Sequence, residues 1–163
     1  MKLIYRTAYM NKLASAMGTP DIKVITGIRR CGKSKLLEAF ADQIRASFPT
    51  ANIIRINFNL LEFEPLMQYR ALHDYVEKHF VEGCNNVVII DEVQMCEGFE
   101  KAINSLHASE KYDIYITGSN AFLLSNDLST LFTGRTFEVE VFPFSLAEFA
   151  QYHEITSPDE ALT

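Results

Sequence analysis

Cysteine is scarce in this chain, and what there is has no shared task. Cys31, Cys84 and Cys96 are an odd number, none forms a C-x-x-C pair, and no spaced histidine pair lies near them. That pattern argues against a disulfide framework and against a structural zinc site, and a reduced, cytoplasmic setting fits it best. Long apolar runs are also missing. Met1 to Met10 mixes Lys2 and Arg6 with apolar residues, so it has no uninterrupted signal core, and no later run approaches membrane-spanning length. A soluble chain with no membrane partner is expected. Positive charge is in deficit: 15 Lys and Arg stand against 21 Asp and Glu, a formal charge of -6. This gives no general attraction to polyanions, so the segment lends no support to nucleic-acid binding. Internal repeats and low-complexity tracts are absent too, which removes solenoid architectures.

What is present suits one compact domain. With 163 residues, 48% of them apolar, the chain can bury one sizeable core. Short β-rich runs alternate with longer stretches of helical spacing, the signature of an α/β fold. Tyr9, Leu13 and Met17 mark an opening helix that Gly18 and Pro20 end before a first strand at 22–26. Leu36, Leu37, Phe40, Ile44 and Phe48 stripe a second helix, closed by Pro49. A strand at 53–58 leads to a helix carrying Leu66, Tyr69, Leu72, Val76 and Phe80, stopped by Gly83. The wholly apolar run 87–90 reads as a central parallel strand covered on both faces. Phe99, Ile103 and Leu106 stripe the next helix, and strands follow at 114–117 and 137–141. Ser145 and Glu148 form a capping box for a last helix. Five strands joined by right-handed crossovers make a three-layer sandwich with its ligand site at the carboxyl ends of the strands.

The most specific signal is Gly27-Ile28-Arg29-Arg30-Cys31-Gly32-Lys33-Ser34, which matches G-x-x-x-x-G-K-[ST] between a strand and a helix. Glycines let such a loop curl so that backbone N–H groups and the positive end of the helix face phosphate oxygens. Lys33 is positioned to reach the β and γ phosphates of ATP, and the Ser34 hydroxyl to ligate Mg²⁺. Gly27, Ile28, Arg29, Arg30, Cys31, Gly32, Lys33, Ser34 and the following Lys35 form the nucleotide-contacting set. Within it, Cys31 reads either as a thiol activated by the helix N-terminus or as a small filler, and Arg29 and Arg30 either as phosphate contacts or as solvated charges.

The apolar strand at 87–90 delivers Asp91 and Glu92 at its carboxyl end. Beside a phosphate loop, Asp91 becomes the Mg²⁺ partner of Ser34 and Glu92 the candidate base for the attacking water. Thr117-Gly118-Ser119-Asn120 ends the fourth strand on the same rim, where one small polar side chain senses the γ phosphate or the composition merely serves a turn. Gly134-Arg135, taken alone, is most simply a solvated charge. His73, His79, His107 and His153 are scattered and carry no chemistry. No guanine-reading N-K-x-D or T-K-x-D follows the loop, which disfavours GTP.

These blocks, with Ile56-Asn57-Phe58, Asp91-Glu92-Val93-Gln94, Leu131-Phe132-Thr133-Gly134-Arg135-Thr136 and Phe142-Pro143-Phe144-Ser145-Leu146-Ala147-Glu148-Phe149, resemble the AAA+-related ATPases of bacteria and archaea. In those proteins an ATPase core precedes a C-terminal domain of unknown function. The resemblance implies a P-loop NTPase sandwich with a five-stranded parallel sheet in the order 5-1-4-3-2. It sets Ser119 between Lys33 and the acidic pair as a catalytic candidate, and Arg6 beside the adenine. It implies that Arg135 serves the site of a neighbouring subunit, hence a homo-oligomer. Members of the family continue for hundreds of residues, so 1–155 reads as the ATPase core and 156–163 as a tail or the start of a linker to a missing region. The function implied is Mg²⁺-dependent ATP binding and hydrolysis. The alternative is an ATP- or ADP-dependent binding switch with negligible turnover, against which Glu92 weighs.

Overall fold

The computed structural model of the protein describes residues 7–27, 32–119, 131–133 and 135–142. Its strands are β1 (Ile22–Gly27), β2 (Asn52–Asn57), β3 (Asn86–Asp91), β4 (Tyr112–Ser119) and β5 (Thr136–Val141). Its α-helices are α1 (Thr7–Ala16), α2 (Lys33–Ser47), α3 (Tyr69–Lys78) and α4 (Phe99–Ala108). Every strand pairing is parallel and the order is β2-β3-β4-β1-β5, the expected order read from the other edge. No described helix is long and apolar enough to cross a membrane.

The period of two along each strand divides the core between the faces. On one side Ile25, Val87, Ile89, Tyr115, Val139 and Val141 pack with Leu13 of α1 and Leu36, Leu37, Phe40 and Ile44 of α2. On the other, Val24, Val88, Ile90, Ile114 and Ile116 pack with Leu72 and Val76 of α3 and with Phe99, Ile103 and Leu106 of α4. All six residues of β3 are buried, as befits a strand covered on both faces.

The helix expected to carry Leu66 through Phe80 divides into two pieces. A 3-10 helix, Leu61–Leu66, contains Pro65, and α3 starts only after Gln68, whose side chain caps it by accepting from the N–H groups of Arg70 (3.0 Å) and Ala71 (3.3 Å). Between them the chain turns extended and bridges Glu97: Tyr69 N–H donates to the Glu97 carbonyl and Glu97 N–H to that of Met67, each at 3.0 Å. A backbone pairing with a segment thirty residues away outweighs local helical spacing. Phe80 lies past the end of α3, and Met17 past the end of α1, whose buried face is Met10, Leu13 and Ala16. The helix expected after β5 falls outside the described residues.

At the amino-terminal edge of the sheet, fully buried Lys23 pairs with Asp113 and donates to the Thr19 carbonyl at 2.8 Å. The second Asp113 oxygen accepts from Gly18 N–H at 3.0 Å. This bolt lies at the opposite end of β1 and β4 from Gly27 and Ser119.

Candidate nucleotide-binding site

The helix α2 opens on Gly32, whose φ of 92° and ψ of 17° lie in the left-handed region that strains an L side chain. This turn aims the first residues of α2 at the carboxyl ends of β1, β3 and β4. Lys33 is buried and its Nζ donates to the Gly27 carbonyl at 2.8 Å, tying the start of the helix to the end of β1. The next residue, Ser34, brings Oγ to 3.4 Å from Asp91 Oδ1, joining positions 57 residues apart in sequence.

Asp91 is the hub of the site and has no solvent exposure. Alternation along the strands puts Arg55, Asp91 and Thr117 on the face that α2 covers, because Asn57 pairs with Asp91 and Ile90 with Ile116. The Thr117 hydroxyl donates to Asp91 Oδ1 at 3.2 Å and accepts from Glu92 N–H at 3.0 Å. Arg55 Nη2 stands 3.7 Å from Asp91 Oδ2. That oxygen is buried and accepts no hydrogen bond from the described residues. Burial pushes the Asp91 pKa above the ordinary carboxylate value. Arg55 and the hydroxyls of Thr117 and Ser34 pull against that rise, whereas Glu92 adds to it.

Glu92 follows with φ 55° and ψ 52°, a left-handed conformation uncommon for a residue with a side chain. Its N–H is fixed by Thr117, its carbonyl accepts from Met95 N–H at 3.0 Å, and its Oε2 accepts from Gln94 Nε2 at 2.6 Å. The 3-10 turn Val93–Met95 that carries Gln94 is anchored by buried Val93 and Cys96. Burial, with Glu100 and Glu97 nearby, pushes the Cys96 thiol up to about 11, so it serves as packing.

The sequence-derived candidates thus divide. Gly27, Gly32, Lys33, Ser34, Asp91 and Glu92 converge. The Lys35 side chain points outward and pairs with Glu38 at 3.3 Å. Ser119 lies on β4 opposite Gly27 in register, and two residues before it Thr117 engages the acidic pair. Arg135 sits at the far edge, its carbonyl accepting from Ile22 N–H at 2.8 Å and its 90% exposed side chain 3.8 Å from Asp21. At about 3.3 Å per strand residue, the length of β1 separates Arg135 from Gly27 by roughly 15 Å. Arg6, Ile28, Arg29, Arg30, Cys31 and Gly134 lie outside the described residues. Sequence reasoning gave no role to Arg55 or Gln94. A lone arginine inside the apolar strand NIIRIN was the available signal for the first.

The described histidines, His73, His79 and His107, have separate local partners. His79 Nδ1 is 2.8 Å from the Tyr75 carbonyl, His107 Nε2 is 2.7 Å from that of Pro20, and His73 Nε2 is 3.0 Å from Ser105 Oγ. Asp74 lies 3.7 Å from the other His73 ring nitrogen but is 83% exposed, so this group is a polar contact between α3 and α4.

The donor set is right for a hard divalent cation: a serine hydroxyl and a carboxylate, oxygen throughout, with one carboxylate oxygen buried and accepting no hydrogen bond from the described residues. A parallel sheet in this order, with a glycine-capped helix and an acidic strand end on one rim, defines the P-loop NTPase class of α/β fold. A family model described as an AAA domain matches residues 19–150, and the chain belongs to that family. Nucleotide binding is what membership implies.

The chain is 35% identical over 157 residues to an uncharacterized protein of Haemophilus influenzae, covering 95% of this chain and 39% of that protein. It is 31% identical over 137 residues to an uncharacterized protein of Methanocaldococcus jannaschii, covering 80% of this chain and 28% of the other. It therefore spans well under half the length of these curated relatives. Among solved structures, C. elegans PCH-2 superposes with a TM-score of 0.65 at 17% identity, covering 93% of this chain and 47% of that one. Domain III of the Thermotoga maritima replication initiation protein DnaA gives 0.56 at 18%, covering 94% and 71%. Both share the fold.

Proposed function

We propose that this AAA domain binds ATP with Mg²⁺ and hydrolyses it. The observation that carries the reading is the approach of Ser34 Oγ to Asp91 Oδ1, 3.4 Å across 57 residues, at the mouth of a glycine-capped helix. Two sequence motifs with independent signatures meet where the chemistry needs both.

Lys33 leaves the Gly27 carbonyl for the β and γ phosphates, exchanging a neutral acceptor for an anionic one, and charge-assisted bonds are roughly twice as strong. The N–H groups at the start of α2 face the same phosphates. Ser34 and Asp91 would hold the cation, which when bound would supply positive charge against that developing on the phosphate oxygens. Thr117 fixes the orientation of Asp91 and the backbone of Glu92 together. Glu92 accepts the proton of a water whose oxygen bonds to the γ phosphorus as the bond from that phosphorus to the β–γ bridging oxygen breaks. ADP and inorganic phosphate leave, and the proton on Glu92 returns to solvent.

Arg135 is too far from this site to act within its own subunit. A second copy presenting Arg135 would supply a cation for the transition state, and on this reading the active form is a homo-oligomer. The test is steady-state phosphate release from ATP and GTP, with Mg²⁺ and with a chelator, beside equilibrium binding of both nucleotides. Mg²⁺-dependent release from ATP well above GTP supports the reading. Tight binding without release would make the domain a nucleotide-dependent switch, and binding of neither nucleotide would overturn both.

A further inference from the structure

Gln94 has no assigned task, yet its amide lies against the carboxylate proposed to act as base. Its Nε2 donates to Glu92 Oε2 at 2.6 Å, a short bond. The opposite amide orientation would turn its oxygen against a carboxylate oxygen, so electrostatic repulsion fixes which end faces Glu92. The Gln94 Oε1 that results is buried and finds no donor among the described residues.

Glu92 is itself held in a left-handed backbone, a conformation that persists only where the surroundings over-determine it. Thr117 clamps its N–H, Met95 N–H clamps its carbonyl, and Gln94 clamps one carboxylate oxygen. The turn carrying Gln94 cannot drift, because Val93 and Cys96 on either side of it are sunk in the core. The three contacts leave Glu92 Oε1 as the carboxylate oxygen not bound by Gln94.

We infer that Gln94 is the positioning residue of the hydrolytic base: it fixes the rotation of the Glu92 carboxylate so that one oxygen is occupied and the other is turned to the attacking water. This rests on the reading of Glu92 as base.

The test is a double-mutant cycle on phosphate release, with Gln94→Met, which keeps length and volume but donates nothing, Glu92→Gln, and the pair. Gln94→Ala guards against a repacking effect peculiar to methionine. Both Gln94 variants should lower kcat by roughly 10- to 100-fold, the range typical of groups that orient a reactive one. KM for ATP should stay within about twofold, because the contact touches neither phosphate nor cation. The melting temperature of Gln94→Met should stay within about two degrees of the parent's, whereas a merely structural Gln94 would lower it. In the double variant the loss should not exceed that of Glu92→Gln alone. Parental kcat in both Gln94 variants beside an inactive Glu92→Gln would overturn the inference and leave the base in place. A raised kcat would overturn it too, by making Gln94 a restraint. Parental kcat in Glu92→Gln would remove the base reading, and this inference with it.

Discussion

Arg55 Nη2 stands 3.7 Å from Asp91 Oδ2, so the buried carboxylate at the centre of the site already has a cationic neighbour on β2. The two meet because β2 and β3 pair in register with Asn57 opposite Asp91, and because Arg55 shares the α2 side of the sheet. Asp91 is wholly buried, and Arg55 is the first of the influences that counter its raised pKa. Removing the guanidinium strands a buried negative charge. Arg55→Ala should therefore destabilise the nucleotide-free protein by about 1–3 kcal/mol. Because a divalent cation offers Asp91 the same compensation, Mg²⁺ should raise the melting temperature of Arg55→Ala more than that of the parent. Equal Mg²⁺ shifts in the two proteins would show that Arg55 and the cation do not share this carboxylate.

Lys33 is expected to be the main handle on the nucleotide. Its ammonium is buried and bonds the Gly27 carbonyl. Lys33→Ala deletes a charge-assisted contact of about 1.5–3 kcal/mol, so ATP affinity should fall by roughly 10- to 100-fold. Isothermal titration with Mg·ATP and with adenosine checks it. The loss should appear for ATP and be small for adenosine, and equal losses for both would place Lys33 away from the phosphates.

The fold was legible from short stretches of sequence, and the site only in part. The run 87–90 announced a buried central strand because every residue in it is apolar and β-branched, and the phosphate loop announced itself by its spacing between a strand and a helix. Strand order came from the family resemblance, since local pattern says nothing about which strands pair. Thr117, Arg55 and Gln94 acquire meaning only through contacts across 26, 36 and 2 residues in the chain. The first two depend on inter-strand register, and the third on a left-handed Glu92 that no composition rule foretells. Helical periodicity turns the Lys35 side chain to solvent and to Glu38, a direction that the motif's spacing does not reveal.

At the other end of the sheet, the Lys23 and Asp113 pair should matter for stability and not for nucleotide chemistry. Lys23 is fully buried. Lys23→Ala leaves Asp113 without its counter-charge and should cost about 3–5 kcal/mol, the usual penalty for breaking a buried pair from one side. A thermal melt should show a loss of roughly 10 °C. ATP affinity measured below the melting transition should stay parental. A melting temperature within about two degrees of the parent would show that the pair contributes little.

For Arg135 the expectation turns on distance. The residue lies at the amino-terminal edge, 90% exposed, with the length of β1 between it and Gly27. Arg135→Ala should bind ATP almost normally and lose roughly 10³- to 10⁵-fold in turnover if a neighbouring subunit supplies the cation. Mixing it with Lys33→Ala should restore activity, increasingly so at higher protein concentration, since one mixed interface then holds an intact loop and an intact arginine. Near-parental hydrolysis by Arg135→Ala alone would contradict the assignment.

Hydrolysis at the rim formed by Ser34, Asp91 and Glu92 is tested by phosphate release from Glu92→Gln, with ATP binding measured on the same samples. Glutamine keeps the shape of the side chain and one acceptor but takes up no proton. Binding should be retained while turnover falls by roughly 10²- to 10⁴-fold. Parental turnover in Glu92→Gln would show that Glu92 is not the base.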